Sequence, residues 1–288
     1  MLTCKEYAEQ KKKELKQYIS EKGLHPCLVV IQVGDDPASN SYIRGKMRDC
    51  EEVGIECGID KLDDDISENN LVTIIQGWNQ MPNVHGIIVQ LPLPDHINVK
   101  TIQASIDPKK DVDGFDTMSP FDPCTPAGVI GYLKAVGYEF EGKDALVIGR
   151  SDIVGKPLAR MLTDLDCTVT LAHSKSKYMR LKMDYADIVF SCIDKIEYFG
   201  DDYIISSIKS LIDIGLGVGE DGKLHGNFKS DYVDYLKKHS CNSIIISGTG
   251  GVGLLTRVAL LENVVKACDE YAVPVFLGKT FTIPGLEL

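Results

Sequence analysis

The sequence predicts an α/β protein of two domains, an N-terminal α/β domain and a C-terminal Rossmann-like domain with a doubly wound parallel sheet, with a cleft between them. Its 288 residues are enough for about two domains. Apolar runs typical of buried strands alternate with amphipathic helical segments, which favours a mainly parallel sheet. One such run, residues 145–148, ends at Gly149 and leads directly into a helix, as dinucleotide-binding domains do.

The first half of the chain contains three of these alternating units. An opening helix over residues 3–22 precedes an apolar strand at residues 28–33. Asp36 and Pro37 form a helix start, and Gly54 stands where that helix should end. Further elements are predicted as strands at 55–62 and 86–91 and a helix at 68–80.

The second half contains the doubly wound sheet. A proline-rich, acidic segment over residues 107–126 leads into it, followed by a helix at 127–135. Strands are predicted at 145–148, 168–172, 188–192, 211–214 and 243–246, and helices at 153–163, 179–185, 232–239 and 254–271.

Composition excludes several classes of partner. The net charge of −11 makes nucleic acid and anionic membrane surfaces unsuitable partners. The nine cysteines are odd in number, scattered and without a C-x-x-C pair, so we expect reduced thiols and no metal site. The first 18 residues are rich in lysine and glutamate, unlike a signal peptide, and no apolar run reaches the ~18 residues of a membrane span. We therefore expect a soluble cytoplasmic protein.

The glycine turn after residues 145–148 is the first candidate binding site. Its pattern, Gly149-x-Ser151-x-x-x-Gly155, approximates the dinucleotide fingerprint, although an ordinary tight turn would look the same. The next strand ends in Leu171-Ala-His-Ser-Lys-Ser-Lys177, without the acidic residue that an NAD site usually has. Together with Arg150, these lysines favour NADP, with NAD as an alternative; a solvated polar loop is the other interpretation.

A second candidate site lies in the first half of the chain. Tyr42 and Lys46 are four residues apart and therefore lie on one face of their helix. Gln90 ends a strand, and Asp113 follows in the loop that leads to the second domain. Ligands of open parallel sheets bind beyond the carboxyl ends of the strands, so we expect these four side chains to converge. A lysine on a helix is, however, more often a solvated surface residue.

Five segments, taken together, resemble one known family. They are Val33-Gly-Asp-Asp-Pro-Ala-Ser-Asn-Ser-Tyr-Ile-Arg-Gly-Lys46, Gly86-Ile-Ile-Val-Gln-Leu-Pro-Leu-Pro94, Lys110-Asp-Val-Asp-Gly-Phe115, Pro123-Cys-Thr-Pro-Ala-Gly128 and Gly149-Arg-Ser-Asp-Ile-Val-Gly-Lys-Pro157. In order and spacing they resemble the bifunctional methylenetetrahydrofolate dehydrogenase/methenyltetrahydrofolate cyclohydrolase family over nearly the whole chain. The resemblance implies oxidation of 5,10-methylenetetrahydrofolate with NADP, followed by hydrolysis of the methenyl product to 10-formyltetrahydrofolate.

The resemblance also implies roles for individual residues. Lys46 would act on the water that opens the methenyl bridge, Gln90 would bond Lys46, Tyr42 would orient the folate and Asp113 would hold the pterin. Gly250 and Thr256 would bind substrate, and the cofactor would be bound by Thr125, Gly149, Arg150, Ser151, Gly155, Ser174 and Ile214. A homodimer is implied, with residues 1–117 as the catalytic, folate-binding domain, residues 254–288 packing back onto it, and residues 118–253 as the cofactor domain.

The chain departs from the family's pattern mainly on the nicotinamide side. Ser247-Gly-Thr249 replaces Pro-Val-Pro, Leu254 replaces a proline, and Ile193-Asp-Lys-Ile-Glu197 replaces a Val-Gly-Lys-Pro element. The loop from Asp116 to Pro123 is also shorter than usual. Two alternatives therefore stay open: a cyclohydrolase with weak or lost dehydrogenase activity, and a folate- or nucleotide-binding regulator without turnover.

Overall fold

The computed structural model describes residues 2–200, 208–239 and 243–271. Along the chain the helices are α1 (Cys4–Lys22), α2 (Pro37–Val53), α3 (Glu68–Asn79), α4 (Val99–Ser105), α5 (Cys124–Ala135), α6 (Gly155–Thr163), α7 (Met179–Tyr185), α8 (Ser230–His239) and α9 (Val252–Tyr271). The strands are β1 (Cys27–Val33), β2 (Glu56–Leu62), β3 (Gly86–Val89), β4 (Asp144–Ile148), β5 (Thr168–Ala172), β6 (Ile188–Ser191), β7 (Leu211–Asp213), β8 (Leu216–Val218), β9 (Leu224–Gly226) and β10 (Ile245–Ile246).

The chain divides into two compact units. Within the described residues, we call Ala8–Cys124 together with residues 257–271 the N-terminal unit, and residues 2–7 together with Thr125–Thr256 the central unit. None of the described helices is both long enough and apolar enough to cross a membrane. Each unit is an α/β structure with a parallel sheet, so the predicted fold class is confirmed.

The N-terminal unit is built on three parallel strands in the order β2-β1-β3. All seven residues of the middle strand, β1, are buried, as its continuous apolar run predicts. Helix α2 starts where the sequence indicates, because the Asp36 side chain accepts a hydrogen bond from Ser39 N at 2.7 Å. It ends before Gly54, which has the left-handed φ of 91° typical of such stops. The chain after β1 is therefore helical over the whole stretch that carries Tyr42 and Lys46.

The central unit contains a five-stranded parallel sheet in the order β5-β4-β6-β7-β10. Numbered within the unit, this order is 2-1-3-4-5, which is one of the two common doubly wound arrangements. The strand order reverses between β4 and β6. Ligands of such sheets bind at this reversal, beyond the carboxyl ends of the two strands, so the fold places the Gly149 turn at the expected binding position.

Several elements differ from the sequence-based expectation. The structure contains helix α4 and the antiparallel pair β8–β9, which the sequence analysis does not predict. Helix α5 begins three residues earlier than predicted, at Cys124. These elements are short or lack a clear period, so local pattern gives little signal for them. The predicted return of residues 254–288 is described only as far as Tyr271, and the remainder of that segment lies outside the described residues.

Candidate active site

Lys46 is a buried side chain whose terminal nitrogen is held by a neighbouring amide. It lies on α2 with 6 % of its surface exposed, and its Nζ donates to Gln90 Oε1 at 3.2 Å. Gln90 follows β3 directly, and its Nε2 donates to Leu91 O at 2.7 Å. Because the amide nitrogen is engaged by that carbonyl, the amide oxygen is the atom turned toward Lys46. The structure thus brings together two residues that are 44 positions apart in the chain.

Tyr42 lies beside Lys46, as the four-residue spacing predicts. The Lys46 Nζ is 5.1 Å from the centre of the Tyr42 ring, within the range of a cation–π contact. Burial raises the pKa of Tyr42 to about 12, and the Asp113 carboxylate adds to this rise while Arg257 opposes it. Tyr42 therefore keeps its proton at neutral pH, and its hydroxyl can donate a hydrogen bond to a ligand. The same charge effect places Asp113 in electrostatic reach of Tyr42.

The loop that carries Asp113 is fixed from two directions. The Cys124 thiol donates to Val112 O at 3.2 Å, and Asn263 Nδ2 donates to the same carbonyl at 2.8 Å. Burial raises the pKa of the Cys124 thiol well above its usual value, and the charge of Asp113 raises it further. Cys124 is therefore a neutral packing and hydrogen-bonding group. Asp113 itself is half-buried, so its carboxylate can reach a ligand.

In the central unit, two glycines allow a close approach of turn and helix. A Cβ atom on Gly149, which has φ of 120°, would lie 2.3 Å from Cys192 O, and one on Gly155 would lie 2.1 Å from Gly149 O. Ser151 Oγ accepts long hydrogen bonds of 3.3 Å from Val154 N and Gly155 N. The start of α6 therefore packs directly on the backbone of the turn, and Ser151 caps its first amide groups.

A cavity of about 420 Å³ opens beside this turn. Gly149, Arg150, Ser151 and Ser174 line it, which brings together four of the seven predicted cofactor residues. His173 and Lys195 add further nitrogen groups, and Asp194 contributes one carboxylate from the segment after β6. The turn after β5 itself contributes no acidic residue to the lining. The volume of the cavity and its basic groups suit part of a phosphorylated nucleotide.

The other predicted residues of the central unit lie outside that lining. Thr125 and Thr256 face each other, with their Oγ1 atoms 3.1 Å apart. Gly250 is an exposed residue of a short 3₁₀ turn, Gly248–Gly250. Ile214 follows β7 and is 8 % exposed, with its N donating to Ser191 O at 2.7 Å. Gly155 packs against the backbone of Gly149 and does not line the cavity.

Two buried polar residues that hold the loops around the cavity were not predicted from the sequence. Asn227 accepts from Ser191 Oγ at 2.7 Å and donates to Ile193 O and Lys195 O, each at 2.8 Å. The Asp213 carboxylate accepts from Asn227 N and Phe228 N, both at 3.1 Å. Burial raises the pKa of Asp213 to about 7, although backbone N–H groups oppose this shift. Neither residue belongs to a recognisable motif, so no local signal identifies them.

Comparison with known families assigns both halves of the chain. Residues 2–113 match the model of the tetrahydrofolate dehydrogenase/cyclohydrolase catalytic domain, and residues 123–272 match the model of the NAD(P)-binding domain of the same family. The chain belongs to this family. A relative from Brevibacillus brevis, the bifunctional protein FolD, is 41 % identical over 284 residues, covering 94 % of this chain and 98 % of the relative.

Solved structures of tetrahydrofolate dehydrogenase/cyclohydrolase proteins have the same fold. A bifunctional FolD enzyme from Campylobacter jejuni superposes with a TM-score of 0.85 at 38 % identity, covering 94 % of this chain and 98 % of that one. A Trypanosoma brucei FolD complexed with NADP and an inhibitor gives a TM-score of 0.82 at 27 % identity, covering 92 % of this chain and 95 % of the other. The two-domain α/β architecture and the family suggested by the motifs are confirmed.

The raised pKa of Asp213 predicts that the stability of this protein depends on pH. The pKa of Asp213 is raised from 3.8 to about 7, so the folded chain holds this proton more tightly than the unfolded chain does. The free energy of unfolding should therefore decrease as pH rises through this interval. Between pH 5 and pH 8 we expect the free energy of unfolding of the wild-type protein to fall by about 3 kcal/mol relative to that of Asp213→Asn. Urea unfolding of both proteins measures this change. A difference that stays constant with pH would contradict this assignment.

Proposed function

We propose that this chain oxidises 5,10-methylenetetrahydrofolate to 5,10-methenyltetrahydrofolate with NADP and hydrolyses the product to 10-formyltetrahydrofolate. The observation that carries the proposal is the buried Lys46 side chain, whose Nζ is bonded to Gln90 and lies beside Tyr42. This geometry occurs in the domain that matches the family's catalytic model. A buried lysine with one amide partner is unusual for a surface helix residue, and a proton-transfer role explains it.

Hydrolysis requires water to add to the carbon of the methenyl bridge, followed by cleavage of one carbon–nitrogen bond. In this proposal the base form of Lys46 takes the proton of the attacking water at Nζ and later returns it to the departing ring nitrogen. Gln90 fixes the direction of Nζ through the 3.2 Å hydrogen bond. The protonated Tyr42 orients the folate, and Asp113 accepts two parallel N–H groups of the pterin, which sets its angle.

Oxidation requires mainly that the folate and a hydride acceptor be positioned. Bound NADP would supply that acceptor. Gly149 and Gly155 are required in this turn because a side chain at either position would collide with the backbone. We assign this turn to the phosphates of the cofactor. Arg150 is an exposed guanidinium on the cavity lining, and we assign it to the 2′-phosphate. Ser174 lies on the same lining and can donate to the same group.

The proposal extends to domain assignment and location. We assign residues 1–117, joined by the helix that begins near residue 254, to the folate domain and residues 118–253 to the cofactor domain. The ranges of the two family models support this division, whereas the compact units divide after Tyr7 and after Cys124. The eight cysteines in the described residues are all free thiols, which supports a reducing, cytoplasmic location. The acidic net charge supports small-molecule partners over nucleic acid.

A homodimer formed through the cofactor domain is part of the proposal. Among the described residues β5 pairs with β4 alone, so its other edge is available for pairing. Large apolar side chains on and near α7 are exposed next to this strand: Tyr178 by 75 %, Leu181 by 52 % and Tyr185 by 77 %. An apolar patch beside an unpaired edge strand favours association with a second copy.

Replacing Lys46 should separate the two activities. We expect Lys46→Met to reduce the cyclohydrolase kcat by at least about 100-fold, because the proton-transfer group is lost. The kcat for oxidation of methylenetetrahydrofolate should stay within about fivefold of the wild-type value, since this step needs no proton transfer from Lys46. Both rates are measured on the same preparation, with Arg48→Met, an exposed cation on the same helix, as the matched control. Unchanged hydrolysis by Lys46→Met would favour a non-catalytic binding role.

Replacing Arg150 should change cofactor preference. We expect Arg150→Ala to raise the KM for NADP about tenfold and the KM for NAD by less than about twofold, because a charge-assisted phosphate contact is removed. Arg160→Ala, an exposed arginine of α6 outside the cavity lining, is the matched control. Equal effects on both cofactors would argue against a 2′-phosphate role. Wild-type protein that hydrolyses methenyltetrahydrofolate but reduces neither cofactor would identify a cyclohydrolase alone.

A charge in the apolar patch should weaken the dimer. We expect Leu181→Glu to convert the protein from dimer to monomer at micromolar concentration, because the carboxylate would be buried without a partner. Sedimentation velocity measures the change. Leu224→Glu places the same charge on another exposed leucine, 56 % exposed on β9, and should leave the dimer intact. Sedimentation of the wild-type protein as a monomer would contradict the proposed dimer.

A further inference from the structure

One face of α2 carries an ion pair that the reaction does not use. Tyr42, Gly45 and Asp49 are spaced three and four residues apart, so they form one stripe along the helix. Arg257 of α9 lies against this stripe, with its Nε 2.9 Å from Asp49 Oδ2. Both side chains are largely buried, with 15 % of Arg257 and 7 % of Asp49 exposed. Neither residue belongs to the motifs that identify the family.

The contact at Gly45 shows how closely the guanidinium approaches the helix. A Cβ atom at Gly45 would lie only 2.1 Å from Arg257 Nη1, so any larger residue there would displace the arginine. Gly45 directly precedes Lys46 in the chain. Arg257 is also close enough to Tyr42 for its charge to oppose the rise in the pKa of the Tyr42 hydroxyl. The guanidinium therefore lies across the turn of α2 that carries both proposed active-site residues.

The charges around Asp49 are balanced. Lys12 Nζ lies 3.5 Å from Asp49 Oδ1 and also contacts Glu52, so two cations face two carboxylates. A buried ion pair of this kind adds little to stability, because the loss of hydration offsets the attraction between the charges. The close packing of the Arg257 guanidinium on Gly45, in contrast, restricts how the two helices can shift. The close Gly45 contact makes that restriction act at the turn next to Lys46.

We propose that Arg257 and Asp49 are positioning residues that hold the Tyr42–Lys46 turn of α2 in register with Gln90. The inference rests on the proposed function for its kinetic consequences. The Lys46–Gln90 hydrogen bond links α2 to the end of β3, so a shift of the helix lengthens it directly. Hydrolysis depends on the position of Lys46 Nζ, whereas oxidation does not. Loss of the ion pair should thus affect the two activities unequally.

The kinetic test compares both activities in variants of the pair. We expect Arg257→Ala to lower the cyclohydrolase kcat about tenfold while the dehydrogenase kcat stays within about twofold. Asp49→Asn should have the same effect, and the double variant should be no worse than either single one, because both remove one interaction. Arg257→Lys keeps the charge next to Asp49 and should recover most of the lost rate.

A chemical readout tests position without relying on activity. The rate at which an amine-reactive reagent labels Lys46, followed by peptide mass spectrometry, should rise at least about threefold in Arg257→Ala as the lysine leaves its buried position. Glu262→Gln, which breaks the α1–α9 ion pair of Lys11 and Glu262 at 3.7 Å, should leave labelling and both rates unchanged.

The outcomes separate this inference from the proposed function. Unchanged Lys46 labelling in folded Arg257→Ala overturns the positioning role whatever the enzymatic activity. Equal losses of both activities, without recovery by Arg257→Lys, overturn it as well. Wild-type protein that lacks hydrolysis rejects the proposed function, while increased labelling of Lys46 in the variant would still support the positioning role.

Discussion

The hydrogen bond between Lys46 Nζ and Gln90 Oε1 is the interaction on which the candidate active site depends. It joins a side chain in the middle of α2 to the first residue after β3, so it forms only when helix and sheet are correctly packed. The carbonyl of Leu91 selects the orientation of the Gln90 amide, and Asp36 fixes the start of the helix. A lysine that would otherwise be solvated thereby becomes a buried group with one defined partner.

In the central unit, backbone packing determines the shape of the turn between β4 and α6. Ser151 caps the first turn of α6, because its Oγ accepts from Val154 N and Gly155 N. The glycines at positions 149 and 155 let α6 begin against the end of β4, where the strand order reverses. On the cavity lining, Arg150 is the side chain that we propose for cofactor selectivity.

Buried polar and charged groups lie next to both candidate sites. Asp213 and Asn227 hold the loops near the cavity, and Asp49 and Arg257 lie behind the turn that carries Lys46. Burying such groups costs solvation energy, and apolar residues of similar size would often be at least as stable. The benefit at Asp213 and Asn227 is directional, because hydrogen-bonded groups tolerate few alternative arrangements, and Arg257 is confined by its close packing on Gly45. The placement of these groups beside the proposed functional residues is consistent with that benefit.

The sequence by itself determined the class of fold, the parallel sheets and the bounds of α2, because apolar period, helix caps and glycine stops act over a few residues. It also indicated Tyr42 with Lys46, since four-residue spacing defines a helix face. Only the tertiary structure decided that Arg257 pairs with Asp49, that Asn227 holds the segment after β6, and that β8 and β9 form a hairpin. Arg257 and Asn227 join segments more than 30 residues apart, and the hairpin strands are only three residues each, too short for a periodic signal. Such contacts are selected by packing of the whole chain, which local pattern does not encode.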